Sequence, residues 1–325
     1  MLRIRYEELH QALARVLSKL GLEEQRALLC ARLFADATRD GVYTHGVNRF
    51  PRFVRMIRAG RIDIHAAPEL IRGHGALERW NGRSGPGNLN AWQSMDRAIT
   101  LARRYGVGAV ALANTTHWMR GGAYGWQASE AGLIGLCWTN TLPNLPPWGS
   151  TEARLGNNPL VFAVPRASGH VVLDMALSQF SYGALAAYRE RGEALPVEGG
   201  FDSAGRLTRD PAAIEASQRP LPIGYWKGAG LSLVLDMIAA MLAGGLATHQ
   251  VPADPERETG ISQFFLALDP AGLGLSAAGE TADAIVASLG SRYPGQRVLE
   301  VRAENLALGV PVSPAIWLEL SKLSE

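Results

Sequence analysis

Residues 44–49 read Thr44-His45-Gly46-Val47-Asn48-Arg49, which sets a hydroxyl, an imidazole and a guanidinium close together in the chain. A histidine titrates near neutrality and can give or take a proton. An arginine four residues on offers a planar fork for a carboxylate. Together they suit a small acid that carries a reducible carbonyl. A loop histidine beside a surface arginine has the same spacing, so spacing alone leaves both readings open.

A second constellation, Asn114-Thr115-Thr116-His117-Trp118-Met119-Arg120-Gly121-Gly122, follows the apolar run 106–113, which reads as a strand. Ligand sites favour the C-terminal ends of strands in α/β sheets. There His117 would polarise a carbonyl, Trp118 would wall a pocket, and Arg120 would bind hydroxyl or acid groups. The competing reading is a satisfied polar turn. The third is Gly224-Tyr225-Trp226-Lys227-Gly228-Ala229-Gly230, ahead of an apolar helix expected from Leu231. Glycines let a ligand approach the backbone, amides at a helix N-terminus favour phosphate, and Lys227 adds a point charge. A Gly-rich loop with an exposed lysine reads equally well. Asp174 closes the apolar run VVLD, where a carboxylate binds cofactor hydroxyls, holds a histidine or caps the next turn. Asp236, inside the apolar helix, reads as a group that satisfies a buried partner, and His10, His65, His74 and His249 read as peripheral.

Other chemistries find less support. Cys30 and Cys137 stand far apart with no CxxC, so neither a zinc framework nor a disulfide is expected. Cys30, in an apolar stretch, reads as a buried inert thiol. The nearest match to a dinucleotide fingerprint is Gly106-Val-Gly-Ala-Val-Ala111. It follows a helix and precedes a strand, the reverse of the Rossmann order, and so excludes that fold.

The elements that must position these groups follow from periodicity and glycine boundaries. Residues 6–20, 23–40 and 50–59 have helical spacing and end at Gly21, Gly41 and Gly60. Runs at 106–113, 132–139, 159–164 and 171–174 predict buried strands, with helices over 90–105, 121–131 and 181–191. Residues 231–246 predict a long, buried apolar helix. Segment 192–222 reads as a surface excursion, and 250–260 and 269–280 as loops. The expectation is an α/β (α+β) chain. A helical unit over 1–72 is joined by 300–325, and a sheet domain over 73–299 holds cofactor and substrate.

The chain has 325 residues, 47% hydrophobic, with a formal net charge of +2. That supports a sizeable core and gives no electrostatic reason to seek nucleic acid or anionic membranes. No uninterrupted apolar stretch reaches a membrane span, and the N-terminus lacks a signal peptide's apolar stretch, so work in the cytoplasm is the default expectation.

Longer stretches carry a resemblance: GVYTHGVNRFPRF at 41–53, NTTHWMRGGAYGWQA at 114–128, CWTNTLPNLPPWG at 137–149, LDMALSQFSYG at 173–183, LPVEGGFD at 195–202 and LPIGYWKGAGLSLVLDMIA at 221–239. In this order they resemble the malate/L-lactate dehydrogenase family, which lacks the Rossmann fold, and within it the diketogulonate-reducing branch. His117-Trp118-Met119-Arg120 and the Pro146-Pro147-Trp148 turn point to that branch.

The resemblance implies a family-specific, non-Rossmann NAD(P)-binding sheet domain with a helical N-terminal/C-terminal domain. It implies a homodimer that uses NADH, with NADPH left open, to reduce the C2 ketone of 2,3-diketo-L-gulonate to 3-dehydro-L-gulonate. His45 becomes the proton donor, with His117 assisting, while Thr44, Arg49 and Arg120 face substrate. Cofactor contacts map to His170, Val171, Val172, Leu173, Asp174, Met175 and Ala176, to Trp226 and Lys227, and to Gly295, Gln296 and Arg297. No metal is implied. Two positions depart from the family pattern: Thr44 replaces a serine, and Asn157 replaces the threonine of Gly-Thr-Asn-Pro. The match thins after Leu268, and the chain is shortened near 270–290. Within the family, malate, lactate, ureidoglycolate and cyclic-imine acids are rival substrates. Outside it, the rivals are a Lys227 Schiff-base lyase and a non-catalytic oligomeric binding protein.

Overall fold

Leu9, Leu13, Val16 and Leu17 recur at helical spacing and form the buried face of α1 (Tyr6–Lys19). The computed structural model describes residues 1–275 and 277–324. β1 (Leu2–Ile4) precedes α1, and α2 (Glu24–Arg39) packs against it, capped by Glu23, whose carboxylate accepts the Gln25 and Arg26 N–H groups. A 3-10 turn at Tyr43–His45 leads to α3 (Phe50–Arg58), which buries Phe50, Phe53 and Val54. These helices share one core around Phe34, Phe50 and Phe53.

The sheet domain opens with a hairpin, β2 (Glu69–His74) and β3 (Leu77–Asn81). β2 spans the expected domain boundary at 72/73. Then come α4 (Gly87–Tyr105), β4 (Val107–Thr116), α5 (Gly122–Glu130), β5 (Ile134–Thr139), β6 (Leu160–Val164), β7 (Val171–Met175) and α6 (Tyr182–Glu190). The expected surface excursion is a small subdomain of β8 (Gly200–Phe201), β9 (Leu207–Thr208) and α7 (Pro211–Ser217), around Leu185, Leu195 and Ile214. α8 (Trp226–Ala243), β10 (Thr259–Leu268), α9 (Ala278–Ser288), α10 (Gln296–Leu308), β11 (Val310–Val312) and α11 (Pro314–Ser324) complete the order. β11 pairs with β1, and Val310, Val312 and Leu320 join the N-terminal core, so the chain's end returns to the helical unit.

The seven strands run β2-β3-β4-β10-β5-β6-β7, and among these neighbours only β3 and β4 pair in parallel. This is a mixed sheet, not a doubly wound one. The glycines of 106–111 prove structural. Gly106 caps α4 with φ +80°, and a Cβ on Gly108 would lie 2.0 Å from the Ala98 carbonyl oxygen, where β4 passes beneath α4.

Two expectations are corrected. Residues 259–268, left out of the strands, form β10 at the centre of the sheet. The apolar helix begins at Trp226 rather than Leu231 and is not fully buried. Leu235, Ala239 and Ala243 face the sheet, while Leu231, Val234, Met237 and Met241 are exposed, Met241 by 79%. Its length and composition would suffice for a membrane span, but the sheet holds one face and Asp236 is buried on it. Asp236 accepts Asn140 Nδ2 at 2.8 Å and the Thr248 N–H at 3.0 Å, as a satisfied structural carboxylate.

Candidate active site

The 3-10 turn of the helical unit carries Thr44 and His45, and the loop leaving β4 carries His117. The fold stacks the two imidazoles with ring centroids 5.6 Å apart and planes 19° from parallel. Residues far apart in the chain thus meet where the helical unit adjoins the sheet. Both rings are part-exposed yet ringed by protein. Burial, then the charges of Arg49 and Arg120, lowers His45 to about 4. Burial, Arg49 and His45 hold His117 well below the usual histidine range.

The hydrogen bonds separate the roles open to the two rings. His117 Nδ1 accepts the Met119 N–H at 2.9 Å, which fixes the neutral tautomer with its proton on Nε2. Such a ring donates a hydrogen bond and resists a second proton. His45 Nδ1 lies 3.3 Å from the Thr44 hydroxyl. A hydroxyl donates or accepts, so this partner tolerates His45 neutral or charged. The extra methyl of Thr44 packs 3.1 Å from the space a side chain at Gly183 would fill, at the start of α6.

Arg49 stands just before α3 with its side chain 18% exposed. Among the described residues its one ion pair is with Glu258, Nη2 to Oε2 at 3.6 Å, and its guanidinium donates no hydrogen bond to protein. Its charge lowers the pKa of both imidazoles. A fork with unspent donors beside two imidazoles has the chemistry to pair with a carboxylate.

Arg120 and Trp118 are placed otherwise than expected. Arg120 is 6% exposed and donates Nη1 to Asp40 Oδ2 at 2.6 Å, so Asp40 holds one nitrogen of its fork, while its buried Nε has no partner among the described residues. Asp40 also takes Arg302 through both oxygens, at 2.8 and 2.7 Å, and Arg39 Nε at 2.8 Å. Burial would raise the Asp40 carboxyl, but these guanidiniums hold it far below the carboxylate range. The cluster ties α2, the His117 loop and α10 together. Trp118 is 1% exposed and packs on Tyr124 and Phe265, so it belongs to the sheet core rather than to a pocket wall.

The three segments expected to hold cofactor meet along β7, an edge strand. The Val172 N–H points away from β6 to the Pro294 carbonyl at 3.0 Å, and Gly295 abuts His170 and Val172. By the two-residue period, the Asp174 backbone groups also face outward. Past the strand, Gln179 N–H donates to Leu221 and Ile223 N–H to Leu177, which brings Trp226 and Lys227 to the far end of β7. Trp226 and Lys227 are exposed in the first turn of α8, not in a preceding loop. Tyr225, at φ +58°, strains the backbone there, and its ring lies 5.1 Å from that of Trp148.

Asp174 is open to solvent on the edge strand β7, and one of its carboxylate oxygens accepts the Gly122 N–H at 2.7 Å. Burial raises its carboxyl, against the pull of Arg120 and Gly122. The same bond joins the His117–Gly122 loop to β7. At the other end of β7, a cavity of about 300 Å³ is lined by Ser129, Arg166 and His170 among others.

Asn157 is satisfied by accepting the Thr141 hydroxyl and Asn144 Nδ2, each at 3.2 Å. Asn158 Nδ2 donates to Ser232 on α8 at 3.0 Å. Cys30 and Cys137 are buried free thiols, and burial pushes Cys30 up to about 12. Among the described residues no group of three His, Cys, Asp or Glu is arranged for a metal. Sequence reasoning missed Glu258 and Asp40. Both lie in short polar stretches where nothing local marks one carboxylate as buried.

Comparison with known proteins adds to this geometry. The profile described as malate/L-lactate dehydrogenase matches residues 4–321. A 2,3-diketo-L-gulonate reductase of Citrobacter koseri is 44% identical over 333 residues, covering 99% of this chain and 100% of that protein. Among solved structures, the sulfolactate dehydrogenase of Methanocaldococcus jannaschii superposes with TM-score 0.92 at 26% identity, covering 99% of this chain and 96% of that one. The Δ1-piperideine-2-carboxylate reductase of Pseudomonas syringae pvar. tomato gives 0.90 at 26%, covering 99% and 100%.

Proposed function

The chain belongs to the malate/L-lactate dehydrogenase family and is an oxidoreductase using a nicotinamide cofactor; on that premise we propose that it reduces the C2 ketone of 2,3-diketo-L-gulonate with NADH. The observation that carries this reading is the stacked His45–His117 pair beside the unspent fork of Arg49. The full-length relative at 44% identity supports the sugar-acid substrate.

The residues along β7 fit such a cofactor. The outward amide and carbonyl of Asp174 match the acceptor and donor of a carboxamide. The α8 N-terminus with Lys227 suits a diphosphate. The cavity by Arg166 and His170 leaves room at the opposite end of the strand. When bound, the cofactor supplies hydride to the ketone carbon. Arg49 pairs with the substrate carboxylate and so aims the adjacent ketone at the imidazoles. His117 Nε2–H polarises the carbonyl oxygen, and His45 delivers the proton that neutralises it. The Asp40 cluster holds the His117 loop in place through Arg120. Orientation and charge at the oxygen are the protein's contribution.

Lys227 is exposed in this chain, which removes the desolvation a Schiff-base lysine draws on, so the lyase reading is not favoured. The exposed stripe Leu231, Val234, Met237 and Met241 supports a homodimer in which a second copy covers α8. The two unpaired thiols are in keeping with a reducing cytoplasm. We place the domain division before Glu69 in place of 72/73, because β2 belongs to the sheet. A spectrophotometric screen of cofactor oxidation tests the function. It compares 2,3-diketogulonate with pyruvate, oxaloacetate, ureidoglycolate's oxo form and cyclic imino acids, each with NADH and NADPH. The highest kcat/KM is expected for diketogulonate with NADH; preference for another acid by tenfold or more contradicts the substrate.

A further inference from the structure

Glu258 ends the segment Val251–Glu258 that leads into β10, and it is 4% exposed. Its Oε2 lies 3.6 Å from Arg49 Nη2, and its Oε1 accepts the Leu142 N–H at 3.4 Å. One turn earlier, Glu256 pairs with Arg52 at 3.2 Å and Arg55 at 3.0 Å. Glu256 is 43% exposed at its side chain, so it is an ordinary surface latch between this segment and α3, of modest strength. Glu258 is different. Burying a carboxylate is costly unless it is paired, and its ion-pair partner is the guanidinium whose charge acts on both His45 and His117.

We infer that Glu258 is a positioning residue for the keto-acid reaction: it anchors Arg49 by one nitrogen, so that the remaining donors of the fork point at the site of the substrate carboxylate. The inference rests on the reading that Arg49 binds that carboxylate. The contact is an ion pair without a hydrogen bond, so the anchoring works through the charge of Glu258; burial raises this carboxyl, and the charges of Arg49 and Arg52 oppose that rise. Without it, Arg49 would be free to rotate or to follow Arg52 toward Glu256. Substrate would then have to order a rotamer-rich side chain, which weakens binding roughly three- to tenfold.

The test is Glu258→Gln, which keeps the shape and removes the charge, studied alone and with Arg49→Lys. The expected result is a diketogulonate KM raised about three- to tenfold, with kcat within twofold. A competitive carboxylate, oxamate, should show the same loss in Ki. The dissociation constant for NADH, read by tryptophan fluorescence, should not move, which certifies the fold. In the Arg49→Lys background the same substitution should add less than twofold. An unchanged or lowered KM in Glu258→Gln overturns the inference, as does full additivity with Arg49→Lys. If Arg49→Lys alone leaves KM unchanged, the carboxylate role of Arg49 fails instead. Should Arg49→Lys raise KM while Glu258→Gln does not, only the role of Glu258 falls.

Discussion

Protonation of His45 should govern the pH dependence of keto-acid reduction. The perturbation is pH itself, between 5 and 7. Burial and the charges of Arg49 and Arg120 lower the imidazole to about 4 in the free protein. On the proposed mechanism the reductive step uses the imidazolium, whose fraction is then about 10⁻¹ at pH 5 and about 10⁻³ at pH 7. The kcat/KM for the keto acid, which at saturating cofactor reports the enzyme before the keto acid binds, should therefore fall about 100-fold over that range, close to tenfold per unit. The reverse oxidation needs the neutral ring and should be flat. In the ternary complex the substrate carboxylate offsets Arg49, so the pKa seen in kcat should lie about one unit or more above that seen in kcat/KM. Folding must be watched in the same window. Because the folded pKa lies below the unfolded one, the unfolded state binds the proton first as pH falls below about 6.5. His45 thus withdraws up to about 2 kcal/mol of stability by pH 5. The assay is initial-rate kinetics at saturating cofactor in constant-ionic-strength buffers, with a return to pH 7 to confirm reversibility. A reductive kcat/KM that stays level from pH 5 to 7 would refute the placement of the proton on His45.

Three further outcomes follow from the geometry. Arg49→Lys turns a fork into a point charge and should weaken keto-acid binding by about 1–3 kcal/mol, seen as a raised KM, while leaving NADH affinity unchanged in a fluorescence titration. Met237→Glu with Met241→Glu puts two carboxylates on the exposed stripe of α8; if the proposed homodimer forms through that stripe, sedimentation should show dimer for the native chain and monomer for the double variant. Gly108→Ala forces a Cβ to 2.0 Å from the Ala98 carbonyl oxygen and should cost several kcal/mol, seen as a large drop in thermal midpoint or as insoluble protein.

Much of the frame was legible in the residues, because glycines bracket most helices and apolar runs mark the strands on either side of the site. β10 was not, since Gly260, Ser262 and Gln263 break its apolar pattern, although Gln263 is fully buried in the strand. The β2–β3 hairpin was hidden by its exposure: every β2 residue faces solvent, so no alternation marks it. The start of α8 was hidden by Gly228 and Gly230. Gly228 is there because a Cβ would lie 2.0 Å from the Ile223 carbonyl oxygen. At the site, His45, Arg49 and His117 stood out as chemistry-bearing types in junctions between elements. Arg120 and Trp118 came from the same motif yet point inward, since a loop that leaves a buried strand can turn its side chains either way. Glu258 and Asp40 carry no local signal, because only tertiary packing decides which carboxylate of a polar stretch is taken out of water.

Substitution of the proposed proton donor probes the site most directly. With NADH bound, the single-turnover rate of diketogulonate reduction in His45→Ala should fall roughly 10²–10⁴-fold, the scale of general acid catalysis, while NADH still binds as it does to the native chain. A variant that reduces the keto acid at nearly the native rate would remove His45 from the chemistry, and with it the role assigned to the site.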